Sequence, residues 1–177
     1  LLPVVAVLGL DAEFRLAGRL RERPMQQLIS QLEEHGASIT LSDSGSISIS
    51  ASSSHITPGE FNFTNPESSQ YISGLLFALP LLNGDSVIRV HNNLESYSYV
   101  LITLDVLGKY GIKVDYSHTN KEWVFNIPGN QTYTFTDISP EGDWSNAAFL
   151  LALGVFGKAP LRINNLPLPS KQGDIKI

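Results

Sequence analysis

The sequence predicts an α/β protein built from repeated βαβαββ units, with helices stacked inside and sheets outside. Two observations carry this. From Phe61 to Ile127 the predicted order is strand, helix, strand, helix, strand, strand. Before it stands the same unit without its first strand, and after it the same unit cut short, a period of about 70 residues. The composition agrees: 177 residues, 42% of them hydrophobic, suffice for one domain, or a domain and a fraction, with a sizeable core.

Each element follows from a local pattern. Leu1 to Leu10 is apolar and reads as the back of a helix, and Glu13 to Leu16 as a short strand. Arg19 to Pro24 is a basic turn, with Pro24 fit for the first helical position. Met25, Leu28, Ile29 and Leu32 repeat at helical spacing, and Gly36 closes that helix. Ile39 and Leu41 form a strand. Ile47 and Ile49, alternating with Ser46, Ser48 and Ser50, form another with one polar face. Ser50 to Ser54 is a loop.

Phe61 and Phe63 alternate with polar neighbours as a strand. Pro66 cannot sit deep in a helix. The helix therefore starts just after it, burying Ile72, Leu75, Leu76 and Leu79 at i, i+3, i+4 and i+7. Asn83-Gly84-Asp85 turns the chain into a strand over Val87 to Val90. Ser96 opens the next helix, with Val100, Leu104 and Leu107 inward and Gly111 near its end. Ile112, Val114 and Tyr116 pair antiparallel with Trp123, Phe125 and Ile127 across a turn at Asn120-Lys121. Tyr133 and Phe135 start a further strand, Ala147 to Phe156 is an apolar helix, and Leu161 to Ile163 is a last strand.

The net charge of −5 recommends no nucleic-acid partner. No cysteine is present, which removes disulfides, thiolate chemistry and cysteine-based zinc sites and fits a reducing cytoplasm. No apolar run reaches the ~18 residues needed to span a membrane. His35, His55, His91 and His118 show no metal-ligand spacing, so no metal or cofactor is expected. Two glycosylation sequons, at Asn62 and Asn130, read as chance without a secretion signal. Leu1 lacks an initiator Met and a basic leader, and Gln172 to Ile177 stops without a terminal helix. Both ends read as cut.

The chemistry is expected at the helix starts. Ser68, Ser69 and Gln70 occupy a first turn, where unpaired N–H groups and the macrodipole favour a phosphate dianion. A plain serine N-cap is the bland alternative. Repeated units should bring other helix starts to the same side: Arg23-Pro24, Ser96 with Tyr99, and Asp143 with Ser145. Converging helix ends and an arginine fork suit a substrate carrying more than one phosphate or carboxylate. Arg23 alone could equally be a solvated surface side chain.

Five motifs in order resemble the 5-enolpyruvylshikimate-3-phosphate synthase (3-phosphoshikimate 1-carboxyvinyltransferase) family. They are Arg21-Glu22-Arg23-Pro24-Met25; Ser68-Ser69-Gln70-Tyr71-Ile72-Ser73; Ser96-x-x-Tyr99; Glu141-Gly142-Asp143-x-Ser145; and Gln172-Gly173-Asp174. The resemblance implies one lobe of an inside-out α/β barrel, and transfer of the enolpyruvyl group of phosphoenolpyruvate to shikimate 3-phosphate. By motif match, Ser68, Ser69, Gln70, Ser96 and Tyr99 would hold shikimate 3-phosphate. Arg23 and Gln70 would face phosphoenolpyruvate, and Asp143 is expected to be structural.

Residues 1–139 would form the substrate-binding lobe, incomplete at its N-terminus. Residues 140–177 would cross to a second lobe, the chain's expected partner. The family's proton-transfer groups lie in that second lobe, so no catalytic residue is expected here. The chain alone should bind and not turn over. The competing readings are a lobe like that of UDP-N-acetylglucosamine enolpyruvyl transferase and a non-catalytic anion-binding repeat module.

Overall fold

The computed structural model describes residues 1–42, 45–53 and 55–176. Ser54 of the predicted serine loop and the terminal Ile177 lie outside them. The elements are α1 (Leu2–Val7), β1 (Ala12–Arg15), α2 (Gln26–Glu34), β2 (Ile39–Leu41), β3 (Ser46–Ile49), β4 (Glu60–Thr64), α3 (Ser69–Ala78), β5 (Ser86–His91), α4 (Tyr97–Lys109), β6 (Asp115–His118), β7 (Glu122–Ile127) and α5 (Trp144–Phe156).

The strands form two sheets, ordered β1-β3-β2 and β4-β5-β7-β6. In the second, β4 and β5 are parallel and the other pairs antiparallel. The three strands of the first are antiparallel throughout. Matching β1 to β5, β2 to β6 and β3 to β7 superposes the two strand orders, and α1 and α2 then take the places of α3 and α4. The repeat read from element order is thus a repeat of topology, with no counterpart to β4 among the described residues of the first unit.

One core lies under both sheets. Strand alternation sends Phe61 and Phe63 of β4, Ile88 and Val90 of β5, and Phe125 and Ile127 of β7 inward. They meet α3, whose Ile72, Leu75, Leu76 and Leu79 are fully buried, and the Leu28, Ile29 and Leu32 face of α2. The α1 helix packs on α3. There a Cβ on Gly74 would stand 3.2 Å from the Pro3 ring. α2 and α4 end alike. Ala37 N–H reaches Leu32 O at 2.9 Å, and Ile112 N–H reaches Leu107 O at 2.9 Å, with Gly36 and Gly111 between them at positive φ.

Five expectations are corrected. α2 begins at Gln26, two residues past Pro24, because the Pro24 carbonyl is taken by the Tyr71 hydroxyl. The strand expected over Ile112 to Tyr116 becomes β6 at Asp115, since Ile112 is held back by the α4 cap. The inner face of α4 is Val100, Thr103 and Leu107, with Leu104 only partly buried. No strand forms at Tyr133-Phe135 or Leu161-Ile163. A strand requires a ladder partner, and no described strand lies beside these segments; Phe135 is 90% exposed. Among the described residues, no helix is long and apolar enough to cross a membrane.

Candidate anion-binding site

The parallel β4–β5 pair decides where two of the predicted helix starts go. α3 follows β4 and α4 follows β5, so both helices begin at the same end of the sheet. Their lead-in loops are tied together. Asn65 N–H donates to His91 O at 3.2 Å, and the Asn65 side-chain oxygen accepts from Asn93 N–H at 3.3 Å. Asn65 adopts positive φ to make this turn.

Ser68 is the N-cap of α3, its hydroxyl accepting from Gln70 N–H at 3.2 Å. Ser69 is buried at 7% exposure, and Gln70 is exposed. Ser96 caps α4 in the left-handed region at φ 54°, and its side chain makes no cap hydrogen bond. Tyr99, one turn on, is exposed, and its carbonyl accepts from Thr103 Oγ1 at 3.0 Å. The same Thr103 hydroxyl lies 2.8 Å from Ser73 Oγ, locking α4 to α3.

Arg23 arrives from the first unit. The Tyr71 hydroxyl of α3 donates to Pro24 O and fastens the Arg23-Pro24 loop over the start of α3. Between them lies a cavity of about 400 Å³ whose wall includes Arg23, Pro24, Glu67, Ser68, Gln70 and Tyr71. The Arg23 guanidinium is exposed and makes no ion pair with a described residue. Burial pushes the Tyr71 phenol above its ordinary value. The Glu67 carboxylate adds to the rise and Arg23 opposes it, so Tyr71 remains a donor.

The cavity therefore gathers Arg23, Ser68 and Gln70. Ser69 sits in the same helical turn, buried and outside the cavity lining. Ser96 and Tyr99 stand at the head of the neighbouring helix and are not part of the lining. The α5 start is self-satisfied. Asp143 accepts from Ser145 N–H at 2.8 Å and Asn146 N–H at 3.3 Å, and Ser145 donates to the Asp174 carboxylate. Tyr71, part of the second motif, and Glu67 are wall residues to which the sequence assigned no role. The signal for Tyr71 was available, as an aromatic with a polar tip on an otherwise apolar helix face. No group of three or more potential metal ligands occurs among the described residues.

The sequence matches the family model described as EPSP synthase (3-phosphoshikimate 1-carboxyvinyltransferase) over residues 1–177. The 3-phosphoshikimate 1-carboxyvinyltransferase of Clostridium kluyveri is 40% identical over 174 residues, which cover 98% of this chain and 39% of that relative. That of Nitrosomonas europaea is 37% identical over 179 residues, 98% of this chain and 41% of the relative. An EPSP synthase structure from Acinetobacter baumannii matches with a TM-score of 0.62 at 21% identity, covering 86% of this chain and 34% of that one. The enolpyruvyl transferase NikO from Streptomyces tendae matches with a TM-score of 0.60 at 19% identity, over 86% and 35% respectively. At these identities the two structures speak for the fold. The chain spans about two-fifths of the length of these curated relatives.

Proposed function

The chain belongs to the EPSP synthase (3-phosphoshikimate 1-carboxyvinyltransferase) family, and from that premise we propose that it is the anion-holding part of an enzyme moving the enolpyruvyl group of phosphoenolpyruvate to shikimate 3-phosphate. The observation that carries this reading is the cavity at the head of α3, whose wall joins Arg23 from one unit to Ser68 and Gln70 from the next. A cap hydroxyl, a side-chain amide and an exposed guanidinium are the donors that two anionic groups require. In this reading Ser68, Ser69 and Gln70 receive shikimate 3-phosphate, Ser96 and Tyr99 complete its site from α4, and Arg23 with Gln70 faces phosphoenolpyruvate. Ser69 then turns its hydroxyl outward on binding.

The proposed contribution is positioning and electrostatic preorganisation, which supply much of the barrier reduction when charged groups must be fixed and dried before reaction. Proton transfer falls to groups outside residues 1–177. The proposed boundary near residue 139 is supported by the run from 131 to 143, which has no regular structure. It is also supported by α5, apolar on all sides, with Phe149, Leu153, Val155 and Phe156 exposed. Such a helix suits burial against a second lobe. A cysteine-free composition suits a cytoplasmic home for the whole enzyme.

Calorimetric titration of shikimate 3-phosphate, with UDP-N-acetylglucosamine as control, tests the reading. Binding of the first and not the second is expected, and Ser69→Ala should cost about 1–3 kcal/mol of it through an unpaired phosphate oxygen. Equal binding of both, or indifference to Ser69→Ala, would refute it.

A further inference from the structure

We propose that Gln27, Gln31 and His35 of α2 are positioning residues, which hold Arg23 at a fixed distance from the head of α3. The inference rests on the functional reading above and extends it to side chains away from the cavity.

The three residues are spaced i, i+4 and i+8, so they form one stripe along α2 and its C-cap. β4 is the end strand of its sheet. Every second residue of such a strand points its backbone groups to the free edge. The stripe meets those groups in turn. Gln27 Nε2 donates to Thr64 O at 3.4 Å, Gln31 Oε1 accepts from Asn62 N–H at 2.6 Å, and His35 Nε2 lies 3.1 Å from Glu60 O. The helix thus does for β4 what a neighbouring strand would do, using side chains in place of backbone.

This contact is built closely. Gln31 is buried at 9% exposure, and its amide nitrogen donates to Glu34 at 2.6 Å. The His35 ring stacks on Phe61 with centroids 3.8 Å apart. A Cβ on Gly59 would come within 2.7 Å of that ring. A wholly apolar face would bury α2 equally well while leaving it free to slide along the strand. Directional bonds from Gln27 and Gln31, with the His35 ring held between Thr57 O and Glu60 O at 3.2 and 3.1 Å, fix the slide.

The position matters because of what the two elements carry. Arg23 stands three residues before α2, and Ser68 four residues after β4. A shift of α2 along β4 moves the guanidinium relative to Ser68 and Gln70. The Tyr71 hydroxyl on Pro24 is a single tie at the near end; the ladder supplies the other three.

The test is a double-mutant cycle on the full chain. Phosphoenolpyruvate is titrated in the presence of saturating shikimate 3-phosphate. Gln31→Met keeps length and removes the acceptor. It should weaken phosphoenolpyruvate binding about tenfold in the native background and have almost no further effect when Arg23→Ala is already present. Exchanging the pair, Gln31→Glu with Glu34→Gln, keeps an acceptor for Asn62 N–H, reverses the donor in the 31–34 bond and should retain most of the affinity. Should Gln31→Met not fold, Gln27→Met is read in the same cycle. An equal loss in both backgrounds, or no loss where Arg23→Ala alone abolishes binding, overturns the positioning role and leaves the functional reading standing. Failure of the unaltered chain to bind either compound overturns both.

Discussion

Asp143 caps α5 with one carboxylate oxygen shared by two N–H groups, while its other oxygen accepts from the Asn146 side chain at 2.5 Å. Asp143→Ala should destabilise that helix by about 1 kcal/mol, measurable by thermal melts, and leave ligand affinity unchanged. Tyr133 makes a different prediction. Its hydroxyl donates to Phe77 O at 2.7 Å, and burial pushes its ionisation up to about 12 from 10. A raised acid constant in the folded state means that the folded chain holds the proton more tightly. Its contribution is complete below pH 10 and disappears as pH rises towards 12. Chemical denaturation across that window should show the loss, and Tyr133→Phe should reduce the pH dependence, leaving the part due to Tyr71, at a cost of about 1 kcal/mol near neutrality. At this scale the caps were legible in the sequence, because Ser68, Asp143, Gly36 and Gly111 act on their own neighbours. The ladder of Gln27, Gln31 and His35 was not, since a polar helical stripe facing solvent and one facing a strand edge read the same.

Among elements, α3 was the most legible, since its i, i+3, i+4, i+7 leucines and isoleucine admit one buried face and Pro66 fixes where it can begin. The alternating Phe61-x-Phe63 and Trp123-x-Phe125-x-Ile127 patterns placed β4 and β7 for the same reason. Tyr133-x-Phe135 carries the identical signal and forms no strand. Alternation reports what a segment could bury, while pairing depends on a distant partner. Gly36 has φ +99°, and a Cβ there would lie 2.4 Å from the His55 carbonyl oxygen. Gly36→Ala should therefore destabilise by more than the ~1 kcal/mol of a simple left-handed penalty, seen as a lowered urea midpoint with an unchanged slope.

Over the whole molecule, packing is dense up to the anchor where Thr134 N–H meets Tyr110 O at 2.9 Å, and sparse beyond it. Phe135 is the first large residue on the far side and stands almost fully exposed. Limited chymotrypsin digestion should therefore cut first at Phe135 and leave a core of about 15 kDa, by mean residue mass, that melts cooperatively. Early cleavage within α3 or β5 would contradict this division. The parallel seam between β4 and β5 has one more consequence, for the order in which the chain assembles. β6 and β7 are joined by a three-residue link and can zip locally, whereas Phe61 cannot meet Ile88 until the intervening helix has bridged the two strands. Closing that larger loop carries the greater entropic penalty. The seam should consequently form late, and weakening it with Ile88→Val should accelerate unfolding far more than it slows refolding in stopped-flow kinetics.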